Sequence, residues 1–175
     1  MYFAVHVTGG KEDSLVALIK ERINPDCYQE VFTPKKDVTR KKEGEQYNKT
    51  FIIFPGYIFV DSNNINQFAA AMYQIPQYAR VLGRDKETGS FLPLSDEECI
   101  MIDTLCGKDV ERKLKSSFVS VTEGKKIKVI AGPLYGLEGQ IKKVDVHRRV
   151  CYMDVTLLGK VTTLEFAINL VKEID

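Results

Sequence analysis

The hydrophobic period changes along this chain, and that change limits the folds open to it. Leu15, Leu18, Ile19 and Ile23 recur at helical spacing and predict a helix over 11–23. Asn24-Pro25 ends it, because the residue before a proline avoids helical geometry. A second helix is expected from Asn63 or Asn64, as its cap, through about Tyr73. A third begins at Ser95, which with Glu98 three residues on makes a capping box, and Gly107 is placed to stop it. Beyond residue 125 the texture is different. "KIKVIAG", "GQIKKVDV", "RVCYMDVTL" and "KVTTLEF" are short β-branched runs separated by turn residues.

Strands also run between the helices of the front part. "YFAVHV", "YQEVFTP" and "YARVLG" read as short strands, and "FIIFPGYIFVDS" as two apolar runs meeting at Pro55-Gly56. The polar "KKDVTRKKEGEQYNK" reads as an exposed hairpin or loop. Residues 1–107 are therefore expected to form an α+β domain, an antiparallel sheet flanked by helices. Residues 108–123, charged and without a settled period, read as a linker. Residues 124–175 are expected to form a small five-stranded β-barrel, near the lower size limit for a domain that folds alone. "TTLEFAINLVKEI" has some helical character, but the β-branched residues upstream of it predict an all-β tail.

Charge and composition exclude several classes. The net charge of +1 conceals 12 basic against 15 acidic residues over 1–106, and 9 against 6 over 125–175. An acidic front and a basic tail point to different partners. No apolar run approaches the roughly 20 residues that span a bilayer, so no membrane is expected. The opening "MYFAVHVTGGKED" lacks the features of a secretion signal, and a cytoplasmic protein is expected. Cys27, Cys99, Cys106 and Cys151 have no zinc-site spacing and read as reduced thiols; neither metal nor cofactor is expected.

The glycines of "GPLYGLEGQIKKVD" raise the question of a phosphate loop. Such a loop leads from a strand into a helix and closes with Gly-Lys-Ser/Thr. Here Gly132, Gly136 and Gly139 precede a strand pattern, and their freedom to take positive φ serves tight bends instead. Catalysis has no better support. The two histidines, His6 and His147, fall in different expected domains, and Asp96, Glu97 and Glu98 suit the positive end of a helix. The chain reads as a binding protein, not an enzyme.

The same residues carry a resemblance. "KIKVIAGPLYGLEGQIKKVD" is similar to the KOW motif of ribosomal proteins and of the NusG family of transcription elongation factors. Alone, that leaves the ribosomal alternative open. "FPGYIFV" (54–60) resembles the signature of the NusG N-terminal (NGN) domain. "MYFAVHVTGGKED", "IPQYARVLG" and "LPLSDEE" fall in the family's order, and "VTLLGKVTTLEFAINLVKEI" extends the likeness to the end of the chain. One departure is Tyr2-Phe3, where the family usually has Trp-Tyr.

The resemblance implies an NGN-like domain followed by an SH3-like KOW barrel, and a factor without catalytic activity. It implies binding to RNA polymerase at the clamp helices of the largest subunit. His6, Phe54, Tyr57 and Phe59 are the expected contacts, although some of these rings could instead fill the core. It also implies that the tail meets a small-subunit ribosomal protein or a termination helicase, as in housekeeping members. The basic run Lys142, Lys143, His147, Arg148 and Arg149 resembles instead that of the antitermination paralogue LoaP, which implies an RNA hairpin in a leader transcript. The run from Lys35 to Lys42 reads as a solvated hairpin, with auxiliary nucleic-acid contact as the alternative.

Overall fold

The computed structural model describes residues 1–42, 45–121 and 127–171. Strand β1 (Tyr2–Val7) and helix α1 (Glu12–Arg22) are followed by β2 (Glu30–Phe32), β3 (Lys35–Lys42), β4 (Glu45–Ile52) and β5 (Tyr57–Asp61). Helix α2 (Ile65–Met72), β6 (Ala79–Val81) and helix α3 (Asp96–Cys106) come next. The remainder is β7 (Lys113–Leu114), β8 (Ser117–Val121), β9 (Ile127–Ala131), β10 (Ile141–Asp145), β11 (Val150–Leu157) and β12 (Lys160–Leu170). By its contacts the chain divides into two compact units, Met1–Pro34 with Ile52–Ile100, and Lys35–Phe51 with Met101–Asp175.

The first unit is built on a four-stranded sheet of order β2-β5-β1-β6, with β1 antiparallel to both β5 and β6. Alternation along the strands divides its residues between two faces. Val5, Val7, Val31, Ile58, Val60 and Val81 pack with Leu15 and Ile19 of α1 and Phe68 and Met72 of α2. The opposite face carries an aromatic cluster. Tyr2 meets Phe32 edge-on at 5.4 Å, and Phe59 lies 5.8 Å from Phe32 and 5.9 Å from Phe54. Tyr2 and Phe3 are both buried, so the core keeps its aromatic volume without a tryptophan.

The helix ends follow the sequence reading with one exception. Ser95 and Glu98 exchange both capping-box bonds, at 3.2 and 3.0 Å, and Gly107 closes α3 with φ +69°. Asn64 stands at the start of α2, but its side chain caps nothing. The buried Ser62 hydroxyl accepts from the Asn64 amide at 2.9 Å and donates to the Cys27 carbonyl at 2.7 Å. It ties the entry of the helix to a neighbouring loop, a long-range bond that local sequence does not reveal.

The second unit contains a curled five-stranded sheet of order β10-β11-β12-β8-β9. It is antiparallel except where β12 runs parallel to β8. Strand β12 pairs with β11 over eight positions, so the stretch with helical character is sheet as far as Leu170; its residues 172–174 lie outside the described residues. The fifth strand is β8, which comes from the stretch read as linker. Its periodicity is hidden by short length and charged flanks. Val119 is buried, and the Ser117 hydroxyl accepts from the Leu134 amide at 3.1 Å. Gly132 is needed here: at φ +105°, an added Cβ would lie 2.7 Å from the Ser117 Cα.

The rest of the same stretch is also fixed. Arg112, 2% exposed, donates to the Asp103 carboxylate at 2.8 Å and to the Gly107 carbonyl at 2.7 Å. Its own carbonyl accepts from the Lys35 amide at 3.1 Å, which sets β7 parallel to β3 in a small sheet of order β4-β3-β7. The "KKDVTRKKEGEQYNK" segment thus forms a pair of strands, as expected for a hairpin. Asp37 on β3 accepts from Thr50 at 2.6 Å and pairs with Lys113 at 3.2 Å. The Thr50 bond, helped by Lys113, holds its carboxyl below the usual carboxylate range.

Candidate functional site

Two surfaces collect the residues singled out in the sequence. The first is the open end of the aromatic face in the first unit. In β1, residues Tyr2, Ala4 and His6 point the same way, and their antiparallel partners on β5 are Asp61, Phe59 and Tyr57. His6 is also opposite Arg80 of β6. A row of Tyr57, His6 and Arg80 therefore crosses three strands. Tyr57 and His6 are half-buried and meet edge-on at 5.7 Å, and Arg80 is exposed.

The row ends in the tight turn at Pro55-Gly56. Gly56 has φ +85°, and its carbonyl accepts from the Val7 amide at 2.9 Å. Its amide donates to the Glu12 carboxylate at 2.7 Å. Of the four residues expected to meet the polymerase, Phe59 is 0% and Phe54 6% exposed. Those two are core, packed with Tyr2 and Phe32, whereas His6 and Tyr57 reach the surface. Residues 57 and 59 share a face but not an environment, since the aromatic cluster covers only the part of that face that holds Phe59.

The second surface is the turn between β10 and β11. The Asp145 carboxylate accepts from the Arg148 amide at 2.9 Å, and Arg149 takes φ +54°, which closes the turn. All five basic residues are exposed, but they are not equivalent. Lys142 is paired with Asp154, which also accepts from Thr163 at 2.6 Å. Both bonds, the one from Lys142 first, hold the Asp154 carboxyl below the usual range. Arg148 reaches the Tyr152 hydroxyl at 3.1 Å and Glu165 at 3.6 Å. Partial burial, then the Glu165 carboxylate, pushes the Tyr152 hydroxyl up. Lys143 lies 6.0 Å from the Tyr152 ring centre, and His147 and Arg149 have no ion pair among the described residues.

The family is decided by comparison of the whole chain. The family model described as "Transcription termination factor nusG" matches residues 1–103, and the KOW motif model matches 123–153. The first alone spans more than half of the chain.

The chain belongs to the NusG family of transcription termination and antitermination factors.

It is similar along its length to "Transcription termination/antitermination protein NusG" of Helicobacter pylori (strain J99). That relative is 22% identical over 180 residues, with 99% of this chain and 98% of the relative covered. The protein of the same description from Rickettsia bellii is 24% identical, covering 99% and 90%. Among solved structures, "Domain interaction in Thermotoga maritima NusG" superposes with a TM-score of 0.58 at 23% identity, over 95% of this chain and 92% of that one. That likeness supports the fold.

Within this NusG-family framework, the "FPGYIFV" segment supplies the turn and β5, and the KOW segment supplies β9, the glycine bends and β10. Sequence reasoning missed three participants. Arg80 joins the first surface only through the β1–β6 register, Glu12 through a bond spanning 44 residues, and Glu165 through its place on β12. The acid at position 12 had one visible signal: it stands in the first turn of α1, where a carboxylate suits the helix dipole. Among the described residues, no group of three His, Cys, Asp or Glu side chains could hold a metal ion, and no helix is long and apolar enough to cross a membrane.

Proposed function

We propose that this NusG-family protein acts by binding rather than catalysis, joining RNA polymerase in the cytoplasm through the Tyr57–His6–Arg80 row. The observation that carries the reading is the half-open aromatic pair at the end of an otherwise covered sheet face. A buried aromatic base with an accessible ring edge is the type of anchor that dominates protein interfaces. The occupant is the clamp-helix hairpin of the largest subunit, whose apolar side chains would pack on Tyr57 and His6 while Arg80 meets its polar flank. Phe54 and Phe59 belong to the covered part of the same face and act through the fold. Titration of the full-length protein with polymerase and with the isolated hairpin tests it: saturable binding to both is expected, and no binding to the hairpin contradicts it.

The tail carries the second part of the proposal, processive antitermination tied to an RNA hairpin in a leader transcript. Its support is the edge bearing Lys143, His147 and Arg149, which are free of acidic partners among the described residues and exposed together. Basic side chains placed this way meet phosphates, and arginine also reaches base edges in a loop. A gel-shift comparison of leader RNA with scrambled RNA of equal length, at one fixed salt concentration, tests it. Tighter binding of the leader is expected. Equal binding contradicts the leader-specific part and favours a general factor whose tail meets a ribosomal protein or a termination helicase.

A further inference from the structure

The most deeply placed charge in the first unit is the carboxylate of Glu12, which is 1% exposed. Acidic side chains are rarely so covered without a paired cation. Here no salt bridge to it exists among the described residues; one oxygen accepts from the Gly56 amide at 2.7 Å and the other has no hydrogen-bond partner. Placement in the first turn of α1 compensates the charge through the helix dipole, and it leaves unexplained why the carboxylate points inward to a turn.

The bonds around Gly56 supply the reason. Its carbonyl is held by the Val7 amide and its amide by Glu12, so the peptide groups on both sides of one residue are fixed. That residue sits at φ +85°, and the next is Tyr57, whose ring meets His6. Without Glu12 the amide of the half-buried Gly56 would lose this partner, and a glycine has the greatest freedom to turn its peptide elsewhere. We infer that Glu12 is a positioning residue: it locks the Pro55-Gly56 turn and so fixes the angle at which Tyr57 is presented beside His6. Its consequence for polymerase rests on the function proposed above; its action on the turn does not.

Two substitutions separate reach from charge. Glu12→Asp keeps the negative charge at the helix start but draws the acceptor back by one methylene. Glu12→Gln removes the charge and keeps an oxygen at the same reach. The full-length variants are compared by amide exchange at Gly56, by the ring-proton shifts of Tyr57 and His6, and by affinity for polymerase. With Glu12→Asp, Gly56 exchange is expected to rise about tenfold or more, the two rings to shift, and the affinity to fall about tenfold. Glu12→Gln is expected to stay within about threefold of the wild type in exchange and affinity. The opposite order, with Asp preserved and Gln impaired, assigns Glu12 to the helix dipole and overturns the inference. Should Glu12→Asp fail to fold, loss of Gly56 protection in folded Glu12→Gln overturns it equally. If wild-type protein does not bind polymerase, the proposed function falls, and the exchange and ring shifts still decide the role of Glu12.

Discussion

The Tyr57–His6–Arg80 row and the 145–149 turn both reach the surface, yet they are made in opposite ways. The row is assembled from three strands and a helix start, by residues as far apart as Glu12 and Gly56. The turn is local, and its shape comes from Asp145 and Arg149 within five residues. What limits the row is cover: Phe59 and Tyr57 alternate onto one face, and the aromatic cluster takes the first and leaves the second. What limits the turn is competition. Asp154 and Glu165 already engage Lys142 and Arg148, so a cluster of five basic side chains offers fewer to a ligand. An aromatic surface is thus defined by what covers its face, and a basic one by the acids beside it.

The largest effect that would sharpen this contrast is at the covered part of the aromatic face. Phe59→Ala is expected to destabilise the first unit by about 3–5 kcal/mol, read from the urea midpoint. A loss below about 1 kcal/mol would mean that Phe59 is not core and would break the division between the two ends.

At the basic turn, Lys143→Ala with Arg149→Ala is expected to weaken RNA binding more than Lys142→Ala with Arg148→Ala. The salt dependence should separate the pairs too, since each lost phosphate contact lowers the slope of log K against log salt by about 0.7–0.9. Equal losses for the two double variants would show that the Asp154 and Glu165 pairs do not compete with phosphate.

The smallest effect is in the acid range. The Asp154 carboxyl is depressed in the folded protein, so its contribution is complete above the unfolded value of about 3.9 and is lost as pH falls through the folded value below it. Asp154→Asn should remove this part of the pH dependence of the urea midpoint, which falls below about pH 4, the unfolded value. An unchanged slope would place the pairing of Lys142 elsewhere.

Much of the fold was legible because its signals are local. The capping box at Ser95 and Glu98, the Asn24-Pro25 stop and the β-branched runs of the tail each act within a few residues. Strand β8 was not legible, because five residues with an exposed Phe118 among charged neighbours carry too little pattern. The site was legible in the same proportion. His6, Tyr57 and the basic run could be named from the letters, while the division between covered and open rings depends on which strands pair. Arg80, Glu12 and Glu165 entered through register and long-range hydrogen bonds, and no window of sequence contains those.

The proposed function puts the grip on polymerase at the open Tyr57–His6–Arg80 row, not at the covered Phe54 and Phe59 or at the basic turn. The most direct measurement is the affinity of full-length His6→Ala/Tyr57→Ala for the clamp-helix hairpin, beside Lys143→Ala/Arg149→Ala, with both variants shown to be folded. The account predicts a loss of about 30-fold or more for the first, on the scale of an interface anchor, and less than about threefold for the second. An unchanged affinity in the first variant would contradict it.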